Sequence, residues 1–89
     1  MYDYEWDPDK ARVNQLKLGI SFADATFALE DIHGLTIEDD YPGEQRFITI
    51  GMDAFGRILV VVYTFQDLAI RIISACKATS GECKQYKER

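Results

Sequence analysis

The chain has 89 residues and a mass of 10.2 kDa, enough for one hydrophobic core and too little for two, which excludes multidomain enzymes and large barrels. Hydrophobic residues make up 47% and aromatic residues 12%, a composition that folds, and the longest apolar run, Ile58 to Tyr63, is far short of the roughly 20 residues of a membrane span. The net charge of −5 divides into −8 over residues 1–45 and +3 over residues 46–89, so a polyanion is expected to meet only the second half, and the pI near 4.7 argues against tight nonspecific nucleic-acid binding.

Tyr2, Tyr4 and Trp6 alternate with Asp3, Glu5 and Asp7, the period of a short strand with one aromatic and one acidic face. The same stretch is acidic where a signal peptide is basic and then apolar, so a soluble cytoplasmic protein with no membrane contact is expected. Asp7-Pro8 starts a helix from Pro8 to Leu18, with Asp as the N-cap, Pro at the first helical position and Gly19 as the stop. Ser21 and Asp24 open a second helix with a reciprocal cap, ending by Asp31. His33-Gly34 is a turn, Leu35-Thr36-Ile37 a short strand, and residues 38–44 an acidic loop interrupted by Pro42-Gly43.

From Arg46 onward strands follow one another: Phe47 to Ile50, then a Gly-closed connection over 52–56, then Arg57 to Phe65 as a central strand covered on both faces. Within it Leu59, Val61 and Tyr63 are expected to face one layer, and Val60 and Val62 the other. Gln66-Asp67-Leu68 turns the chain into a strand over 69–75. Strict alternation there puts Arg71 on one face with Ile73 and Ala75, and Ser74 on the opposite face. Thr79 and Glu82 form a capping box for a helix from Ser80 to Glu88. Cys76, Cys83 and the lone His33 are too few and too scattered for a zinc site, so reduced thiols, no metal and no cofactor are expected. Residues 1–89 therefore read as a single α+β domain of order β-α-α-β-β-β-β-α, with a mainly antiparallel sheet, an N-terminal helix pair and a C-terminal helix.

Glu5-Trp6-Asp7-Pro8, Lys10-Ala11, Asn14, Lys17, Gly19, Ser21-Phe22, Arg46 to Gly51, Gly56 to Thr64, Arg71 to Ala75, Ala78-Thr79, Glu82 and Tyr86, taken in order, resemble the BrnT family of bacterial toxins over nearly the whole chain. The resemblance implies a RelE-like fold and a ribonuclease toxin of a type II toxin–antitoxin system, acting on RNA to inhibit translation. It also implies a BrnA-like ribbon-helix-helix antitoxin that neutralises the toxin, joins it in a heterotetramer of two chains each, and alone contacts operator DNA. Members of the family usually read Lys-His-Gly where this chain has Lys17-Leu18-Gly19, and Ile-Ile-Ser-Ala-Arg where it has Cys76. An alternative function follows from those departures: a weakly active or inactive toxin fold that acts with its antitoxin in control of its operon.

Metal-independent cleavage of a phosphodiester needs activation of the 2′-hydroxyl, cationic stabilisation of the phosphorane and protonation of the leaving oxygen. The sequence offers Arg71, Arg57, Lys77 and Arg46 as the catalytic cations and Tyr63 as a phenol. Each cation has a second reading. Arg71, among isoleucines, is either a phosphate contact or an ion-paired sheet residue; Arg46 has Glu44 within reach; Arg57 begins a strand at the surface. Lys77 stands at the strand-to-helix corner beside the free amides of the last helix.

Overall fold

Local signals fix the helix ends. The computed structural model describes residues 2–88. Helix α1 (Pro8–Leu18) starts where the Asp7 carboxylate accepts the Asp9 amide at 2.9 Å, and it ends at Gly19, whose φ of 74° lets its amide donate back to the Gln15 carbonyl. At α2 (Phe22–Leu29) the Ser21 hydroxyl accepts the Asp24 amide at 3.1 Å. The expected reciprocal cap is half made, because the Asp24 carboxylate turns outward to Arg57 at 3.0 Å. The box on α3 (Ser80–Glu88) is complete: Thr79 donates its amide to Glu82 Oε1, and the Glu82 amide donates to Thr79 Oγ1.

Five strands form one sheet in the order β1-β5-β4-β3-β2, comprising β1 (Asp3–Glu5), β2 (Leu35–Tyr41), β3 (Glu44–Met52), β4 (Ile58–Gln66) and β5 (Ala69–Lys77). All neighbours are antiparallel except β1, which runs parallel to β5. The acidic segment expected as a loop is instead the second half of β2. Glu38 pairs with Phe47 and Asp39 with Arg46, and the chain reverses through Pro42-Gly43, where Gly43 takes a φ of 82°. Pro and Gly at the tip of a tight hairpin leave the ladder intact on both sides, so they mark its turn without interrupting either strand.

Helices α1 and α2 cover one face of the sheet. Leu59, Val61 and Tyr63 of β4 point into that layer with Ile70, Ile72 and Ala75 of β5, against Ile20, Phe22, Ala25 and Ala28. Val60 and Val62 face the other way, as the alternation requires. Gly51 on β3 allows the close approach of α2, since a Cβ there would run into the Ala28 carbonyl. The opposite face carries Leu35, Ile37, Ile48, Ile50 and Val60, with Glu82 and Gln85 of α3 at its border. No helix among the described residues is long and apolar enough to cross a membrane.

One irregularity changes the phase of β5. Val62 pairs with Ser74 but Tyr63 pairs with Ile72, so Ile73 is an extra residue bulged out of the ladder. Arg71 consequently shares its face with Ser74, not with Ala75, which corrects the strict alternation expected along this strand.

Candidate functional site

The bulge determines where the cations lie. Arg71 pairs across the ladder with Thr64 on β4 and Glu5 on β1, on the face away from α1 and α2. Its guanidinium lies 3.5 Å from the Glu5 carboxylate, with 39% and 43% of the two side chains exposed. Arg46 stands one residue beyond the Phe47–Tyr63 pair on the same face, paired across β2 with Asp39. It meets Glu44 at 3.2 Å, as its sequence neighbourhood suggests. A row of Glu5, Arg71, Thr64, Arg46 and Asp39 therefore crosses one end of the open face, with a hydroxyl at its centre, a guanidinium on each side and a carboxylate at each end.

Arg57 and Lys77 belong to the other end of the sheet, near the β3–β4 connection. Six residues of strand separate Lys77 from Arg71, roughly 20 Å at the usual rise. Lys77 pairs with Leu59, on the helix-bearing face, and is exposed. The nearby α3 amides of Thr79 and Glu82 are already taken by their own capping box. Arg57 is held by two carboxylates, Asp53 at 2.8 Å and Asp24 at 3.0 Å, and the Asp53 side chain is fully buried. Burial pushes the Asp53 carboxyl up, but the amide and guanidinium of Arg57 and the Phe55 amide outweigh it and hold the group below the ordinary carboxylate range. That cluster ties the hairpin to the start of α2. The structure thus brings Arg71 and Arg46 to one end of the open face and leaves Arg57 and Lys77 apart from them.

The phenol expected at the site is elsewhere. Tyr63 stacks on Phe47 in the helix-bearing layer, is 6% exposed, and shares a 2.9 Å hydrogen bond with Thr49. It cannot reach the open face, because its position in β4 has the same parity as Leu59 and Val61. Tyr4 hydrogen-bonds to Glu30 at 3.0 Å, and burial together with that carboxylate pushes its pKa up to about 12. Cys76, where the resemblance leads one to expect arginine, is half-buried, and burial followed by the nearby Glu82 charge pushes its thiol up, away from a reactive thiolate. His33 lies in the turn between α2 and β2 and donates its backbone amide to Asp31.

Reasoning from residue types missed a concavity on the helix-bearing side. A groove of about 410 Å³ runs between α1 and Ile73, lined by Lys10, Val13, Lys17 and Leu18. The spacing of those helix positions, three, four and seven apart, puts them on one face of α1 and was the signal available. Leu18 occupies this groove where the resemblance leads one to expect histidine. A second concavity, about 420 Å³, opens beside Arg71 where β3 and β4 part. Among the described residues no group of three or more His, Cys, Asp and Glu side chains gathers as a metal site.

Comparison with protein families finds a match to the model described as the ribonuclease toxin BrnT of type II toxin–antitoxin systems, over residues 6–82. Among solved structures, the 1.1 Å crystal structure of the Brucella abortus ribonuclease toxin BrnT is similar in fold, with a TM-score of 0.67 and 24% identity, over 90% of this chain and 100% of that one. No curated protein sequence matches.

Proposed function

Because this chain belongs to the family of BrnT ribonuclease toxins of type II toxin–antitoxin systems, we propose that it cleaves RNA without a metal ion at the open-face end of its sheet. The observation that carries this reading is the row in which two guanidiniums, Arg71 and Arg46, flank Thr64 beside a concavity. Arg71 is loosely paired, 3.5 Å from Glu5 at a part-exposed rim where a phosphate competes with the carboxylate at little cost, while Glu44 holds the less exposed Arg46 at 3.2 Å. Arg71 and Arg46 supply the electrostatic stabilisation of the phosphorane. Lys77, on the helix-bearing face at the far end of the sheet, lies outside this phosphate row, and Arg57 positions the far hairpin through its two carboxylates. The partner is a BrnA-like ribbon-helix-helix antitoxin, two chains of each forming the complex in the cytoplasm, with operator DNA reached through the antitoxin.

The test is cleavage of a fluorescent RNA by the purified chain at low salt, with Arg71→Ala as the contamination control and a chelator arm. The expected result is a rate lowered about 10²–10³-fold by Arg71→Ala, the usual effect of deleting one preorganised contact to the transition state, and unchanged by chelation. Equal cleavage by wild type and variant would remove Arg71 from the site.

The second reading, a toxin fold that binds its antitoxin but cuts poorly, is favoured by Leu18 in the α1 groove and the protonated, half-buried Cys76 on β5. Leu18→His with Cys76→Arg discriminates between the two. A silent wild type made active by the pair supports the second reading, whereas a wild type already fast and unmoved by the pair counts against it.

A further inference from the structure

Past the Phe47–Tyr63 pair, β3 and β4 stop pairing through their backbones, although β3 extends back to Glu44 and β4 forward to Gln66. Thr64 spans the gap, donating its hydroxyl to the Gln45 carbonyl at 2.7 Å. The cleft of about 420 Å³ left there lies within the range of small-ligand sites. Because it lies where strands separate, it draws side chains from both faces: Phe47 and Phe65 from the helix-bearing side, Thr64 and Arg71 from the open side.

We infer that this cleft is a nucleobase subsite, which receives one unpaired base of single-stranded RNA stacked on Phe65 and read by the carboxamides of Gln45 and Gln66, while Arg71 holds the adjoining phosphate. The inference rests on the ribonuclease reading and names the part of the substrate that site recognises. Phe65 is 45% exposed, yet edge-on contacts with Tyr2 at 5.6 Å and Phe47 at 5.2 Å fix its ring, so little freedom is lost when a base stacks on it. Gln45 donates to Glu38 at 3.0 Å, which orients its carboxamide and leaves its carbonyl oxygen able to accept. Gln66 makes no side-chain hydrogen bond among the described residues, so its donor and acceptor are both available. An aromatic face, two carboxamides and a guanidinium correspond to the three parts of a nucleotide, its π-face, its base edge and its phosphate. Glu44 also lines the cleft, and its charge is met by Arg46 at 3.2 Å.

The experiment titrates the isotopically labelled full chain with the four ribonucleoside monophosphates and follows side-chain amide and aromatic resonances. Expected are shifts of the Gln45 and Gln66 amides and the Phe65 ring, with affinities differing several-fold among the four bases. Phe65→Ala lowers affinity about 10-fold, within the range for loss of one stacking contact. Gln66→Ala, at an exposed residue whose loss does not threaten folding, narrows the spread among bases. Arg71→Ala weakens monophosphates while leaving the corresponding nucleosides unchanged. Shifts confined to the Lys10 and Lys17 groove, or none at 10 mM ligand by order of magnitude, overturn the inference. RNA cleavage is measured in parallel: cleavage without cleft shifts overturns the subsite and leaves the ribonuclease reading standing, whereas cleft binding without cleavage supports the subsite and overturns the reading.

Discussion

Asn14 lies in the middle of α1 and is 7% exposed, because its carboxamide substitutes for a missing strand. Among the described residues β1 pairs with β5 through Ala69, Ile70 and Arg71 alone, and farther along that edge Ala75 would be left with an unpaired N–H and C=O. Asn14 accepts from the Ala75 amide at 3.2 Å and donates to the Ala75 carbonyl at 2.8 Å and the Ile20 carbonyl at 2.9 Å. Asn14→Ala orphans three buried groups and should cost about 3 kcal/mol, read from the urea midpoint, given roughly 1 kcal/mol or more per lost bond. Asn14→Asp should be nearly as harmful, since a carboxylate donates to neither carbonyl. Asp31 plays a similar part at the other end, accepting from the Met52 and His33 amides and from the Tyr86 hydroxyl, and so tying α3 to the end of α2. Burial pushes its carboxyl up, but these three donors outweigh burial and leave it below the ordinary value. Its folded value is thus lower than its unfolded one, so its contribution is complete above the ordinary Asp range near pH 4 and is lost as pH falls through the depressed folded value. Urea unfolding from pH 7 to pH 2.5 should show Asp31→Asn less stable at neutral pH and the gap to wild type closing below about pH 4. A gap constant with pH would mean that the charge of Asp31 is not what its donors stabilise.

At the scale of elements, β4 carries the fold. Val61 is fully buried between Thr49 of β3 and Ala75 of β5, under α2. Val61→Asp places an unpaired carboxylate there at a cost of several kcal/mol, comparable to the whole stability of a small domain. Circular dichroism should show loss of cooperative unfolding, whereas Val62→Asp, half-buried on the other face, should retain it. The facing of Leu59, Val61 and Tyr63 into the core was legible in the sequence, although the expected cover on both faces is incomplete, with Val62 only half-buried on the open side, and the helix caps were legible because Asp7, Pro8, Gly19, Thr79 and Glu82 each act within a turn of where they stand. What could not be read was set by pairing at a distance. Residues 38–41 look like a loop by composition, and only the facing β3 partners make them a strand. The Ile73 bulge has no local mark, because a β-branched residue suits either side of a strand, and with it went the facing of Arg71. The candidate cations were identifiable by type, but their grouping depends on which end of which strand each occupies, so Arg57 and Lys77 could not be separated from Arg71 and Arg46 without the ladder.

At the scale of the whole molecule, a net charge of −5 must approach a polyanion through few cations. Each phosphate neutralised on a single strand contributes about −0.7 to the slope of log K against log salt concentration, so Arg71 and Arg46 together give about −1.4. If RNA lay instead along the α1 groove, Lys10 and Lys17 would replace them, and the slope alone could not tell the two sites apart. Variants can. With an RNA whose 2′-hydroxyls are methylated to prevent cleavage, Arg71→Ala should weaken binding at low salt and reduce the slope by about 0.7, leaving Lys17→Ala without effect on either. The expected affinity is modest, because the long-range field of an acidic protein opposes association even where the local site attracts, and it falls with salt as the cation–phosphate contacts weaken. A wild-type slope near −4 would require several more phosphate contacts than the open-face row provides. In that event the RNA path must cross both ends of the sheet, drawing in Lys77 and the α1 lysines. A slope lowered by Lys17→Ala and not by Arg71→Ala would move the substrate to the groove beside Leu18.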